Sequence, residues 1–275
     1  MDSQQKQTRS QRINRLTERK TMKILAVANQ KGGVGKSTLT VHLAYAALEA
    51  KQRVLLVDMD RQGSLSLSFE ASTGAASGMK ASQLYDAEPS DERPEIISEQ
   101  LSIIRADVEL LRIDKKENAV LRLPGKALRR FADDFDLCLI DTPPLVGIRL
   151  MASLTAADYV VTPVSVGLYE SAGVADLLGT IQVIRTQGFN PRLKHVGILP
   201  MKTNSRSAEE KEGLADMRER HGSAFLPVSL PERAAVRKAI AKRIPVWSST
   251  KGEGHLTAAR EWHAACELIL SKVSQ

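Results

Sequence analysis

The sequence has few cysteines, few aromatic residues and no long apolar run. Its 275 residues include two cysteines, and aromatic side chains make up 4% of the chain. Two cysteines, of which Cys138 lies inside an apolar run, exclude a disulfide framework and a cysteine-ligated metal site, and they fit a reducing compartment. No apolar run reaches the roughly 18 residues that a membrane span needs, and the N-terminus lacks the apolar core of a signal peptide. We therefore expect a soluble, cytoplasmic protein.

Acidic residues are outnumbered by basic ones, which gives the chain a formal net charge of +7. A basic balance suggests a polyanionic partner, although it also occurs in proteins without one, so the distribution of the charge matters more. Residues 1–21 hold six lysines and arginines against two acidic residues and form a polar N-terminal arm of charge +4. This arm is either a helix that forms on a partner or on DNA, or a solvated disordered tail.

Apolar runs typical of buried parallel strands alternate with helical patterns along the rest of the chain. We predict strands at 23–28, 54–57, 101–104, 135–141, 159–164, 193–199 and 225–228. We predict helices at 36–50, 81–85, 107–123, 126–133, 168–187, 205–220, 231–242 and 256–273, with Pro124 ending the helix over 107–123. The alternation predicts one α/β domain over 22–275, a doubly wound and mostly parallel sheet with helices on both faces.

A glycine-rich loop lies between the first predicted strand and the helix that follows it. Its residues are Lys31, Gly32, Gly33, Val34, Gly35, Lys36, Ser37 and Thr38. Glycines allow successive backbone N–H groups to turn toward an anion, Lys36 can reach the β and γ phosphates of a nucleotide, and the Ser37 hydroxyl can bind Mg²⁺. This strand–loop–helix context predicts a phosphate-binding loop, with the additional Lys31 at its mouth.

Three aspartates follow buried strands, at the edge where open α/β sheets bind ligands. Asp58 and Asp60 end the second strand, and Asp141 ends the strand that begins at residue 135. Ser37 and Asp141 are the natural pair of Mg²⁺ ligands, with Asp60 as a further candidate. Asp60 is also placed to orient the water that attacks the γ-phosphorus, whereas Asp58 is expected to have a structural role.

These motifs resemble those of the ParA-type partition ATPases. The similarity lies in residues 31–38, 58–63 and 139–144, which resemble the deviant Walker A, switch I and Walker B motifs, and it covers roughly residues 22–250. The resemblance implies an ATPase that uses ATP and Mg²⁺ and forms a homodimer on ATP. It also implies nonspecific binding to double-stranded DNA and stimulation by a ParB-type centromere-binding protein, in the segregation of a plasmid or chromosome.

The same resemblance implies roles for individual residues. Lys31 would reach the nucleotide of the opposite subunit, where a cation offsets the charge of two facing nucleotides. Met201, Pro231 and Glu232 would contact the adenine. Arg61 stands where the family usually has proline, which leaves its effect on hydrolysis open.

A cationic stripe is predicted near the end of the domain. It consists of Arg233, Arg237, Lys238, Lys242 and Arg243, which Lys202 and Arg206 could extend. Such a stripe fits sequence-independent contacts to DNA phosphates, or it is the solvated face of an amphipathic helix. The resemblance favours the DNA interpretation.

Two other functions fit the same nucleotide motifs. The first is a MinD-like membrane-surface ATPase, which would need a cationic amphipathic C-terminal helix. Residues 256–273 do carry an apolar stripe, but Glu261 and Glu267 dilute the charge, and the pattern fits a helix packed on the domain. The second is a regulator that binds nucleotide and a partner without significant turnover. We expect no membrane partner.

Overall fold

The computed structural model describes residues 21–70, 77–165, 170–204 and 207–274. The strands are β1 (Lys23–Val27), β2 (Val54–Asp58), β3 (Glu95–Ser98), β4 (Leu101–Ile104), β5 (Leu137–Asp141), β6 (Tyr159–Val164), β7 (Lys194–Thr203) and β8 (Leu230–Pro231). The α-helices are α1 (Lys36–Glu49), α2 (Ser64–Leu67), α3 (Leu110–Ile113), α4 (Leu123–Arg129), α5 (Ile148–Ala156), α6 (Glu170–Thr186), α7 (Ala208–His221), α8 (Ala234–Ala241) and α9 (Glu253–Val273). Short 3₁₀ helices cover Ala81–Tyr85, Asn118–Arg122 and Gly222–Ala224.

The described strands form one sheet in the order β3-β4-β2-β5-β1-β6-β7-β8. Every neighbouring pair is parallel except β3 with β4. This architecture confirms the predicted doubly wound, mostly parallel sheet. The chain passes from one half of the sheet to the other next to β1, which is where such sheets bind ligands.

Both faces of the sheet are buried, because each central strand is apolar on both sides. In β1, Ile24 and Ala26 belong to one core, which α4, α5 and α6 cover. Leu25 and Val27 point to the opposite core, which α1, α8 and α9 cover. The continuous apolar runs in the sequence predict this two-sided burial.

The C-terminal helix α9 packs on the domain, as its sequence pattern predicts. Five residues of its apolar stripe are buried, and Leu256 at its beginning is exposed. The five are Ala259, Trp262, Cys266, Ile269 and Val273. The side chains that a membrane-surface helix would expose are therefore part of the core.

The prediction of one helix over 107–123 is wrong. The segment folds into the short α3 and a 3₁₀ helix, and Pro124 lies in the first turn of α4 instead of ending a helix. Proline is tolerated there because the first N–H groups of a helix have no partner inside it. Pro124, which was predicted to end a helix, therefore lies where a helix begins.

Several other boundaries differ from the predictions. The predicted strand at 225–228 is a single bridge between Phe225 and Ile198, and the last strand is β8. Strand β7 continues through Pro200 and Met201 to Thr203. The edge strand β3 and the helix α5 were not predicted. The predicted N-terminal arm, apart from Thr21, lies outside the described residues.

A buried histidine connects the helix α1 to the segment before α9. His42 Nδ1 donates to the Thr38 carbonyl oxygen at 2.8 Å, and His42 Nε2 accepts from the Val246 N–H at 3.2 Å. The imidazole must be neutral to accept at Nε2. Burial lowers the pKa of His42 to about 4, against the opposing effect of the bond to Thr38.

We expect His42 to make the folded state less stable in acid. Between pH 6.5 and about 4 the unfolded chain binds a proton at His42 that the folded chain does not. The free energy of unfolding should therefore be lower by about 2 kcal/mol at pH 5 than at pH 7 on account of this group. Urea unfolding of the wild type and His42→Gln at several pH values measures it.

Other groups also make stability depend on pH, among them buried carboxylates and His195, whose pKa burial also lowers to about 4. Their contribution is the same in both proteins, so the difference in pH dependence between wild type and His42→Gln measures the contribution of His42. The pH dependence should be weaker in His42→Gln. An equal pH dependence in both proteins would contradict the prediction.

Candidate active site

The glycine-rich loop is anchored at its beginning by an asparagine. Asn29 Nδ2 donates to the Pro163 carbonyl oxygen in β6 at 2.7 Å, and Asn29 Oδ1 accepts from the Lys31 N–H at 2.8 Å. Lys31 is exposed at the mouth of the loop. The loop is thus held to the neighbouring strand, while its lysine faces outward.

Two lysines donate to carbonyl oxygens of the loop. Lys36 Nζ lies 3.0 Å from the Lys31 oxygen, and Lys202 Nζ lies 2.5 Å from the Gly33 oxygen. The residue before α1 is Gly35 in a left-handed conformation, and within the described part of the chain no side chain caps the helix. An uncapped helix N-terminus with ammonium groups beside it is suited to bind an anion such as phosphate.

The carboxylates at the sheet edge lie side by side. Asp58 and Asp141 are direct partners in the register of β2 and β5. Asp58 accepts from the Asp60 N–H and from both the N–H and the hydroxyl of Ser66. Burial raises the pKa of Asp58 to about 6, against these hydrogen bonds. Asp58 therefore organises the turn after β2, as a structural role requires.

Asp141 is fully buried, and neither of its carboxylate oxygens has a hydrogen-bond partner among the described residues. Burial raises the pKa of Asp141 well above its ordinary value and Asp58 adds to this, while the nearby Ser37 hydroxyl and Lys36 oppose it. Burial lowers the pKa of Lys36, and Asp141 and Asp60 oppose that shift. The structure thus brings Lys36, Ser37, Asp60 and Asp141 together.

An unsatisfied carboxylate beside a hydroxyl fits Mg²⁺, which prefers oxygen ligands. No group of three or more His, Cys, Asp or Glu side chains in the described ranges could hold a metal ion. A Mg²⁺ ion at Ser37 and Asp141 would therefore need further oxygens, and nucleotide phosphates are such a source.

A cavity of about 260 Å³ lies beside the glycine-rich loop. Gly35 and Thr38 form one wall, and the three predicted adenine contacts Met201, Pro231 and Glu232 line it as well. Its remaining lining residues are Lys202, Leu230, Arg233, Val236, Arg237, Ile240 and Trp262. A mostly apolar cavity next to a phosphate-binding loop suits a nucleotide base.

The predicted cationic stripe is not one face of a continuous helix. Arg233 precedes α8, and its guanidinium forms two hydrogen bonds of 2.6 Å with Glu261 in α9. Arg237 lies within α8 and donates to Glu232 Oε1 at 2.6 Å. Both arginines also line the cavity, so their charges are partly compensated by neighbouring carboxylates.

The other three basic residues lie toward the end of α8 and beyond it. Arg243 follows the helix and pairs with Glu70. Lys238 and Lys242 are exposed. DNA binding by these residues remains a prediction, and Arg206 lies outside the described residues.

Sequence reasoning missed three residues of this region. Asn29 anchors the loop, Trp262 lines the cavity from α9, and Arg149 donates to the Met59 oxygen beside Asp60. Arg149 left a signal in the sequence, because it is a single charge between Ile148 and Leu150 just after the Asp141 motif. Asn29 and Trp262 left no such signal, because the bond from Asn29 to Pro163 and the place of Trp262 in the cavity depend on residues remote along the chain.

Comparisons with known proteins identify the family. A family model described as an AAA domain matches residues 22–195. The chain is 34% identical to Protein IncC of Escherichia coli over 264 residues, which are 94% of this chain and 71% of IncC. It is 35% identical to the chromosome partitioning protein ParA of Myxococcus xanthus over 193 residues, 67% of this chain and 66% of that protein. The chain belongs to the ParA-type partition ATPases.

Solved structures agree with this fold. Cobyrinic acid a,c-diamide synthase of Mycobacterium smegmatis, solved with ADP and magnesium, has a TM-score of 0.69 at 30% identity and covers 90% of this chain and 94% of its own. The ATP complex of a McdA variant from Cyanothece has a TM-score of 0.79 and covers 91% of this chain and 97% of its own. At 21% identity the McdA similarity shows the fold alone.

We expect Gly35→Ala to weaken ATP binding to this ParA-type chain. Gly35 has a φ of +100°, and an added Cβ would lie 2.9 Å from Met201 Cε in the cavity. An L-residue lowers its energy by roughly 1–2 kcal/mol when the free loop leaves the left-handed conformation, and ATP binding then has to restore it, which predicts about a tenfold loss of affinity. Isothermal titration calorimetry with ATP and Mg²⁺ measures it.

Gly254→Ala is the matched control, because Gly254 lies in α9 and no atom lies within 4 Å of an added Cβ. Its affinity should equal that of the wild type. Wild-type affinity in Gly35→Ala would contradict this prediction.

Proposed function

We propose that the chain is a Mg²⁺-dependent ATPase that partitions DNA. It forms a homodimer on ATP, binds double-stranded DNA without sequence preference, and hydrolyses ATP when a ParB-type centromere-binding protein stimulates it. The cargo is a plasmid or a chromosome, and the protein acts in the cytoplasm at the nucleoid. The observation that carries this proposal is the meeting of the phosphate loop, the buried Asp141 carboxylate beside Ser37 and Lys36, and the adjoining cavity at one sheet edge.

Each residue of the site has a distinct role in this proposal. Backbone N–H groups of residues 32–38 hold the phosphates, and Lys36 contacts the β and γ phosphates. Mg²⁺ held by Ser37 and Asp141 would neutralise phosphate charge. Asp60 orients the attacking water. Its side chain is half-buried and can reach a water molecule, whereas that of Asp58 is fully buried, and this difference supports the choice of Asp60. Met201, Pro231 and Glu232 contact the base.

Lys31 acts across the dimer interface. Its exposure at the mouth of the loop supports a contact with the nucleotide of the second subunit. Two nucleotides that face each other concentrate negative charge, and a lysine from each subunit offsets it. ATP then holds the two subunits together, and hydrolysis of ATP lets them separate.

The DNA surface centres on the exposed end of α8. Lys238 and Lys242 can contact phosphates there without first breaking an ion pair, since none is seen for them in the described residues. Arg233, Arg237 and Arg243 contribute after exchanging their carboxylate partners for phosphates. Such contacts are independent of sequence and weaken with salt.

Asp60→Asn should bind ATP with unchanged affinity but lose hydrolysis. Removal of the group that orients the water should lower phosphate release by about a hundredfold or more. Asp86→Asn changes an exposed aspartate after the 3₁₀ helix over Ala81–Tyr85 and serves as the control. Phosphate release with ATP and Mg²⁺ measures the effect.

Wild-type turnover in Asp60→Asn would overturn the assignment of Asp60. An absence of phosphate release from the wild type, with and without DNA, would favour the regulator without turnover.

DNA retention should require ATP and the end of α8. We expect retention of nonspecific DNA with ATP, and none with ADP or with Lys36→Gln. The double variant Lys238→Glu/Lys242→Glu should bind at least about tenfold more weakly. Lys115→Glu/Lys126→Glu reverses two exposed lysines near α3 and α4, on the other side of the sheet, and should retain DNA. Filter binding at two salt concentrations measures all four proteins.

Retention that ignores nucleotide and survives Lys36→Gln would refute the DNA switch. A MinD-like function predicts ATP-dependent flotation with anionic liposomes instead. Burial of the α9 stripe in the core argues against it. In the described residues, no helix has the length and apolarity of a membrane span.

A further inference from the structure

Arg149 is an almost buried arginine close to the proposed water-orienting residue. It lies in the first turn of α5, and 8% of its side chain is exposed. Nη1 donates to the Met59 carbonyl oxygen at 2.8 Å, while Nε and Nη2 donate to Asp114 Oδ2 at 2.9 and 2.6 Å. A buried guanidinium is tolerated only where its donors and its charge are matched.

The Met59 carbonyl belongs to the peptide that leads into Asp60. The N–H of the same peptide donates to Asp58 Oδ1 at 3.1 Å, so its carbonyl and its N–H are both held. The Met59 N–H donates to the Asp141 carbonyl oxygen at 2.9 Å, and the Met59 side chain is fully buried. The plane of the peptide before Asp60 is therefore set by Arg149 on one side and Asp58 on the other.

The direction of the Asp60 side chain depends on that plane, because the peptide orientation sets where Cα–Cβ points. We propose that Arg149 is a positioning residue for Asp60, and that Asp114 holds Arg149 in place. Arg149 keeps the Met59–Asp60 peptide in the orientation that directs the Asp60 carboxylate toward the attacking water. This inference rests on the proposed function of Asp60.

Asp114 connects this contact to the surface of the domain. Its side chain is about one-third exposed, and it follows the end of α3. It accepts from Arg149 but not from the residues around Asp60, so its removal acts on Asp60 only through Arg149. Asp114→Asn keeps the shape of the side chain while removing the charge that matches the guanidinium.

A control arginine lies at the other end of β1, next to the residue before the strand begins. Arg129 Nη1 donates to the Met22 carbonyl oxygen at 2.7 Å, and Nη2 donates to Asp158 Oδ1 at 2.5 Å. It therefore has the same kinds of partner as Arg149, a backbone carbonyl and an aspartate. Arg129 is more exposed than Arg149, so Arg129→Gln should cost less stability, and it should not reach Asp60.

The test compares Arg149→Gln, Arg149→Lys, Asp114→Asn and Arg129→Gln in steady-state ATP hydrolysis and ATP titration. We expect Arg149→Gln to lower kcat between about 10- and 100-fold, with KM and Kd for ATP within twofold of the wild type. Arg149→Lys and Asp114→Asn should show smaller losses of kcat. Arg129→Gln should keep the wild-type kcat. Unchanged kcat in Arg149→Gln, or an equal loss in Arg129→Gln, would overturn the proposal.

Hydrogen exchange of the same proteins, followed by mass spectrometry, tests the contact without hydrolysis. Exchange in a peptide covering residues 59–63 should speed up in Arg149→Gln and not in Arg129→Gln. If the wild type releases no phosphate, the proposed function fails, yet this measurement still decides whether Arg149 holds the peptide. If Arg149→Gln does not fold, Asp114→Asn and Arg149→Lys carry the comparison, and wild-type kcat and exchange in both would overturn the proposal.

Discussion

The physical constraint on which the phosphate site depends is the buried carboxylate of Asp141, which lies beside a second carboxylate and a buried ammonium. Asp141 ends a central strand, and both its oxygens are unsatisfied among the described residues. Its neighbours in the site are a second carboxylate, Asp58, and the buried ammonium of Lys36. Such a group costs several kcal/mol unless a cation or a proton compensates it. The arrangement is therefore suited to a ligand that brings Mg²⁺ and phosphate charge together.

Two arginines hold the segment from Met59 to Phe69, one at each end. Arg149 binds the Met59 oxygen, and Arg105 binds the Phe69 oxygen after α2. Each guanidinium is matched by a carboxylate from a different element, Asp114 for Arg149 and Glu95 for Arg105. A loop beside an anionic ligand gains order from such contacts without placing further positive charge on the phosphates.

The basic character of the chain is distributed less simply than its net charge suggests. Arg233, Arg237 and Arg243 are each paired with a carboxylate, so their charge is partly cancelled in the isolated chain. Two of them also line the cavity beside the phosphate loop. In the proposed function, nucleotide and DNA therefore bind neighbouring parts of one surface.

The sequence by itself determined the class of fold and the types of residue that lie at the sheet edge. Apolar runs identify buried strands, and glycines before Lys36 and aspartates at strand ends are local signals, because each depends on residues adjacent in the chain. Only the tertiary structure decided that Pro124 begins a helix, that Trp262 joins Met201 in one cavity, and that Arg149 holds the residue before Asp60. These depend on contacts between distant segments, which hydrophobic periodicity and turn chemistry do not encode.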